Sequence, residues 1–310
     1  MPIVEIPYVD IGVEGAALSR GDGFRAFLEE QLGDAVAAAR AQMQGGAWSG
    51  VSGAERGKAL QRLARLIERD AAQLALMDAR AIGRPISELH ALDLPNTIAT
   101  FDYFAGWADK IEGRVIPTPG YFGRPTHSYT VREPIGVIGM IIPWNTPLMI
   151  TAWKVAPALA AGCAIVLKPA EATPESALRL AALALEAGIP AGVFNVVLGR
   201  GDAAGAALAA HPGIDKISFT GGPETAATVQ RAAAANFTRV ALELGGKSPQ
   251  IVFEDADLDA AAQGCAMGLF FNHGQVCAAG TRILAQRSVA GAMAERLAAA
   301  AKSITPGDPL

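Results

Sequence analysis

Apolar positions in the first hundred residues recur at helical spacing. Phe24, Phe27, Leu28, Leu32, Val36 and Ala39 fall on one face of a helix predicted over about 24–43, which Gly45-Gly46 ends. Leu60, Leu63, Ile67, Ala71 and Leu74 repeat the pattern in a second predicted helix over about 54–79. A third is predicted over about 86–107. All three read as packing helices whose charges form a solvated outer face. From 113 to 134 the texture changes. Residues 127–132 alternate polar and apolar, as a strand does, and prolines at 117, 119, 125 and 134 confine the stretch to a sheet edge or a protruding β-hairpin. Its free edge suits pairing with a second subunit.

A regular alternation begins at 136. Predicted strands over 136–142, 163–167, 193–198, 216–220 and 239–244 are separated by predicted helices over 148–161, 173–188, 202–210 and 222–235. Thr173-Pro174-Glu175 reads as a helix start, with Thr173 as the N-cap. Strands apolar on both faces and joined by helices imply a parallel sheet covered on two sides, with right-handed crossovers. The fold class is therefore α/β, with a Rossmann-like sheet. Ligands in such sheets bind beyond the carboxyl ends of the strands. Those ends carry Trp144-Asn145, Lys168 to Glu171, Gly199 to Gly201, Thr220 to Gly222 and Glu243 to Gly246, so the polar and glycine-rich punctuation collects on one rim.

Composition narrows the classes of function. The 310 residues are 51% hydrophobic, enough for a large core, and carry a net charge of −4 with no basic run, which argues against a nucleic-acid partner. No apolar run approaches a membrane span, and residues 1–10 have neither the basic nor the apolar part of a secretory signal. Cys163, Cys265 and Cys277 are far apart and lack metal-site spacing, so no metal is expected and the pattern is that of a reducing, cytoplasmic compartment.

The candidate chemistry centres on Gly274-Gln275-Val276-Cys277-Ala278-Ala279-Gly280. Small neighbours let backbone N–H groups approach whatever binds at the sulfur, which suits a nucleophile that needs donors for an oxyanion. Taken alone, Cys277 reads more readily as a buried structural cysteine in a tight loop; the stretches over 143–147 and 243–249 reverse that preference. There is no G-x-G-x-x-G. Thr220-Gly221-Gly222 links a strand to a helix whose free N–H groups could hold a pyrophosphate, and Lys168 with Glu171 follows the second strand, where ribose hydroxyls are read.

Pro143-Trp144-Asn145, Lys168-Pro169-Ala170-Glu171, Phe219-Thr220-Gly221-Gly222, Glu243-Leu244-Gly245-Gly246-Lys247-Ser248-Pro249 and Gly274-Gln275-Val276-Cys277 together resemble the aldehyde dehydrogenase superfamily, in its order and at its spacings. The resemblance implies that Cys277 attacks the aldehyde, that Asn145 and the Cys277 N–H hold the oxyanion, and that Glu243 is the general base. It implies a cofactor site of Trp144, Lys168, Glu171, Gly201, Thr220, Gly221, Gly222 and Gly245. NAD is expected over NADP, because the Glu171 carboxylate would repel a 2′-phosphate. It further implies a small-molecule aldehyde substrate, a homo-oligomer paired through the 113–134 hairpin, and a division into 1–245, with the dinucleotide-binding domain, and 246–310, an incomplete second α/β catalytic domain. Many members carry serine where this chain has Gly222. The Glu-x-Phe-Gly-Pro motif that the resemblance would place after the thiol does not occur in the 310 residues, so a truncated, catalytically impaired relative acting as a binding module is the alternative expectation. A CoA-acylating member is disfavoured, since those lack the glutamate base. His273 reads as a surface residue, and Cys163 and Cys265 as core.

Overall fold

The computed structural model describes residues 22–310. The side chains of Phe24, Phe27 and Leu28, and the first ten residues, lie outside the described part. Helix α1 (Asp22–Met43) is followed by α2 (Gly53–Arg69), α3 (Ala71–Ile82) and α4 (Leu94–Trp107). Then come strands β1 (Val115–Ile116), β2 (Ser128–Tyr129) and β3 (Val137–Ile141), helix α5 (Pro147–Ala160), β4 (Ala164–Lys168), α6 (Glu175–Glu186), β5 (Phe194–Val196), α7 (Ala206–Ala210), β6 (Lys216–Gly221), α8 (Pro223–Ala234) and β7 (Arg239–Leu244). The chain continues through β8 (Pro249–Val252), α9 (Leu258–Phe270), β9 (Arg282–Ala285) and α10 (Ala290–Lys302).

The central sheet has the order β5-β4-β3-β6-β7 and every pairing is parallel. This is the doubly wound arrangement, and the strand order reverses between β3 and β6, where a crevice opens. One face packs under α2, α4, α5 and α6 through Leu60, Leu63, Phe101, Leu159 and Ile165. The other packs under α1, α7 and α8 through Leu32, Val36, Val166, Leu208, Ile217 and Val229. All five residues of β3 and of β4 are buried, which is why those segments read as unbroken apolar runs. β8 and β9 form a separate parallel pair with its own small core of Val252, Ala262, Cys265 and Met293. β1 and β2 pair antiparallel as the expected hairpin.

Four local expectations are corrected. The helix over 54–79 is two helices, broken at Asp70 (φ −95°, ψ 12°). The Asp70 carboxylate is held by Arg69 at 2.7 Å and by Arg179, which gives the chain a fixed corner that hydrophobic spacing does not encode. The helix over 86–107 begins as a single turn, Ile86–Glu88, and passes through a π-helical turn, Leu89–Asp93, before α4. Pro95 in the first turn of α4 lacks the N–H that regular winding would use. Thr173 caps nothing: α6 starts at Glu175 with no side-chain cap, and the Thr173 hydroxyl is buried without a hydrogen-bond partner. Side-chain caps lie instead on α2, where Ser52 and Glu55 form a reciprocal capping box, and on α9, where Asp257 accepts the Asp259 and Ala260 N–H groups. The helical charges are not all solvated either, since Asp78 and Asp93 are buried, as is Arg84 in the link between helices.

Candidate active site

Asn145 sits in the turn between β3 and α5, beside the point where the strand order reverses. Its Nδ2 donates to the carbonyl of Gln275 at 2.8 Å, which ties this turn to the thiol loop two residues before Cys277. Trp144, next to it, is exposed. Glu243 is near the end of β7, in register with Thr220 of β6. A cavity of about 1250 Å³ is lined by Cys277, Glu243, Thr220, Ser218 and Lys154. The structure thus brings the two groups with the strongest chemical potential to one opening. Cys277 is exposed while Cys163 and Cys265 are buried, and burial pushes both of those thiols up. Among the described residues, nothing accepts a hydrogen bond from the Cys277 N–H.

Glycines decide how closely these loops approach. A Cβ on Gly246 would lie 3.3 Å from the Cys277 carbonyl, and one on Gly280 would meet the Gln250 side chain at 2.4 Å. Gln250 donates to the Gly280 and Cys265 carbonyls and so anchors the far end of the thiol loop to β8. Its near end turns through three successive left-handed residues: Asn272 (φ 48°), His273 (φ 56°) and Gly274 (φ 74°). Each non-glycine in that conformation costs about 1 kcal/mol or more, and asparagine tolerates it best. Asn272 is buried, and its Nδ2 donates to the Asn145 carbonyl at 2.9 Å and the Gln275 carbonyl at 3.3 Å. His273 is exposed and lines a different cavity, of about 580 Å³, so it is no partner for the Cys277 sulfur.

The remaining predicted residues lie along the carboxyl rim. Lys168, the last residue of β4, is buried, with Nζ 3.2 Å from the Glu171 carboxylate. Burial pulls the Lys168 ammonium down, partly opposed by Glu171. Burial pushes the Glu171 carboxyl up, but its own backbone N–H, Lys168 and the Gly201 N–H outweigh that and leave it below the usual range. Gly221 packs over the Phe219 ring, which a Cβ there would meet at 2.6 Å. Gly222 precedes α8, whose N-terminus has no side-chain cap; Pro223 offers no N–H, so the amides of Glu224 and Thr225 face the rim without helical partners. A Cβ on Gly222 or Gly245 would meet nothing within 4 Å. An uncapped helix start and a carboxylate beside a buried ammonium fit a pyrophosphate and a ribose diol.

Lys154 escapes the sequence motifs. It is the sole charge in α5 and donates to Ser218 Oγ at 2.8 Å. Burial pushes its ammonium down to about 8, against the pull of Glu243. Its one sequence signal is a cation at a position where the helix otherwise reads as core.

The model of the aldehyde dehydrogenase family matches residues 23–310. The chain belongs to that family. It is 50% identical over 278 residues to human (Homo sapiens) retinal dehydrogenase 2, an alignment covering 89% of this chain and 53% of that protein. Among solved structures, a putative aldehyde dehydrogenase from Burkholderia cenocepacia superposes with a TM-score of 0.87 at 48% identity, covering 91% of this chain and 56% of that one. The NAD+ complex of aldehyde dehydrogenase from Bacillus cereus gives a TM-score of 0.87 at 43% identity, with 91% and 56% covered. The chain spans about half the length of the curated relatives it matches. Among the described residues, no His, Cys, Asp and Glu cluster could hold a metal, and no helix is long and apolar enough to cross a membrane.

Proposed function

We propose that this chain carries the cofactor rim and the thiol of an NAD-linked aldehyde dehydrogenase that converts an aldehyde to a carboxylic acid. The observation that carries the reading is the common cavity of Cys277 and Glu243, tied to Asn145 through Gln275. The Cys277 thiolate adds to the carbonyl carbon and pushes an electron pair onto oxygen. The Cys277 N–H and the second Asn145 N–H, the first being taken by Gln275, donate to that oxyanion; a neutral amide donates without protonating it. NAD, held at the rim, would supply the hydride acceptor; loss of hydride from the same carbon would leave a thioester on Cys277. Glu243 takes a proton from water, the hydroxide adds to the thioester, and collapse releases the acid and the thiolate. Lys154 sits close enough to Glu243 for the carboxylate charge to favour its ammonium form, against the pull of burial.

In the same reading, Lys168 and Glu171 receive the adenosine ribose, and Thr220 to Gly222 with the start of α8 receive the pyrophosphate. Trp144, Gly201 and Gly245 border this cofactor site. The Glu171 charge disfavours a 2′-phosphate, so NAD is the preferred cofactor. The chain divides near 245 into a dinucleotide-binding part and a nucleophile-bearing part, works in the reducing cytoplasm, and pairs with a second copy through the 113–134 hairpin.

Ester hydrolysis tests the thiol without the cofactor. The purified chain is expected to release nitrophenolate from p-nitrophenyl acetate, and Cys277→Ala to reduce that rate to background. NAD-dependent oxidation of an aldehyde, measured as NADH absorbance, is expected to vanish in the same variant. Thiol-independent turnover within tenfold of the parent chain would remove Cys277 from the mechanism.

A further inference from the structure

Beneath the thiol loop lies a buried ionic cluster that the mechanism above does not use. Arg84 is fully buried. Its Nε donates to Glu88 Oε2 at 2.9 Å, its Nη1 donates to the buried Asp93 at 2.8 Å, and its guanidinium lies 4.6 Å from the centre of the Phe271 ring. Glu88 Oε2 also accepts the backbone N–H of Asn272 at 3.3 Å. Asn272 in turn bonds the carbonyls of Asn145 and Gln275, and accepts the Gln275 N–H at 2.9 Å through its own carbonyl. One carboxylate oxygen is therefore shared between a buried arginine and the first left-handed residue of the thiol loop.

We propose that Glu88, clamped by Arg84, and Asn272 are positioning residues for the nucleophile. Three features carry this. Asn272 and His273 hold unfavourable left-handed backbone, which persists only where surrounding contacts over-determine it. The Glu88–Asn272 bond is such a contact, and it reaches the loop from residues 184 positions away. The Asn272 amide joins the oxyanion-binding turn to the thiol loop, so a shift at Asn272 moves Asn145 and Cys277 relative to each other. A burial-driven core would be served by apolar groups here. The buried charges instead fix one hydrogen-bond geometry, because an arginine fork accepts carboxylates from few directions. The inference rests on the reading of Cys277 as the nucleophile.

Three variants of the whole chain test it. Glu88→Met keeps the bulk but removes the shared acceptor, Asn272→Asp keeps the shape but removes both amide donations, and Glu88→Gln retains an acceptor oxygen. For p-nitrophenyl acetate, Glu88→Met and Asn272→Asp are expected to lower kcat at least tenfold with KM within about twofold, since small misplacement of reacting groups is costly. Glu88→Gln is expected to recover most of the loss. Hydrogen exchange reads the same contact without turnover, and so decides the point even for a chain that hydrolyses no ester. Amides over 272–279 are expected to exchange at least tenfold faster in Glu88→Met, with β3 and β4 unchanged, and to regain protection in Glu88→Gln. Unchanged exchange over 272–279 would overturn the proposal. So would faster exchange spread evenly through β3 and β4, the mark of a merely structural role. Loss of ester hydrolysis in Cys277→Ala but not in Glu88→Met, with exchange unaltered, would leave the thiol reading standing and remove the clamp.

Discussion

Asp78 shows how one carboxyl supports the site from a distance. It is buried on α3 and accepts the Leu148 N–H at 3.2 Å, in the first turn of α5, three residues after Asn145. Helix α5 has no side-chain cap of its own, so this bond satisfies a donor that would otherwise be orphaned. Burial pushes the Asp78 carboxyl up to about 7 from an ordinary 3.8. Between those values the folded chain keeps a proton that the unfolded chain has released. Stability from this group is therefore full below about pH 4 and falls as pH rises towards 7. The shift sets an upper bound of roughly 4 kcal/mol on the effect. Asp78→Asn keeps an acceptor for Leu148 and carries no charge. Relative to the parent chain, it is expected to be more stable at pH 8 than at pH 5, by urea midpoints at the two values. Parallel pH dependence in both proteins would remove Asp78 as the source. At this scale the chemistry was unevenly legible. Cys277, Glu243 and Asn145 stand in motifs that local sequence displays. Lys154, Asn272 and Glu88 do not, because their meaning comes from contacts across 64 to 184 positions that no local window contains.

Among the elements, β3 and β4 were the most readable strands, because they are buried on both faces and leave unbroken apolar runs, whereas β6 and β7 are only partly buried and carry polar residues. Helix interiors were equally readable. Their breaks were not. Leu60 to Leu74 keeps helical spacing straight across Asp70, since the residues on both sides bury the same face and only the Arg69 and Arg179 contacts reveal the corner. In the proposed reading, the start of α8 bears on cofactor affinity. Gly222 has φ −76° and ψ 151°, which any residue adopts, and a Cβ there meets open space. Gly222→Ser therefore adds a hydroxyl at an N-cap position without strain. As a cap it is expected to stabilise α8 by only roughly a few tenths of a kcal/mol, since glycine is itself a tolerated N-cap, and to tighten NAD by about threefold to tenfold through one added hydrogen bond. Calorimetric titration with NAD measures the second effect, and the same titration with NADP is expected to show weaker binding. Unchanged affinity for NAD would place the pyrophosphate elsewhere on the rim. Tighter NADP binding would mean that Lys168, rather than Glu171, dominates the ribose end.

For the whole molecule, the distribution of apolar surface argues for association. Among the described residues the hairpin between β1 and β2 is two strands wide, and each strand has an edge that none of them pairs. It also exposes Val115, Tyr121, Tyr129 and Val131, and Phe122 at its tip is 88% exposed. An isolated two-stranded ribbon is marginal in water, and among the described residues nothing covers these side chains. A second apolar group lies around β8 and β9, where Ile251, Phe253 and Leu284 are exposed. Contiguous apolar surface of this kind marks a contact site or an aggregation hazard. The two outcomes differ in form. Pairing through the hairpin gives a discrete particle with a fixed mass, because an edge satisfied by its symmetry mate is closed. Non-specific association gives a mass that grows with concentration. Light scattering after gel filtration is expected to show a particle of at least twice the 32.0 kDa chain mass. Tyr121→Ser with Phe122→Asn keeps the turn, since asparagine tolerates the positive φ of position 122, and is expected to shift the population towards monomer. A parent chain that runs as a monomer at all concentrations would rule out the hairpin as a self-association edge.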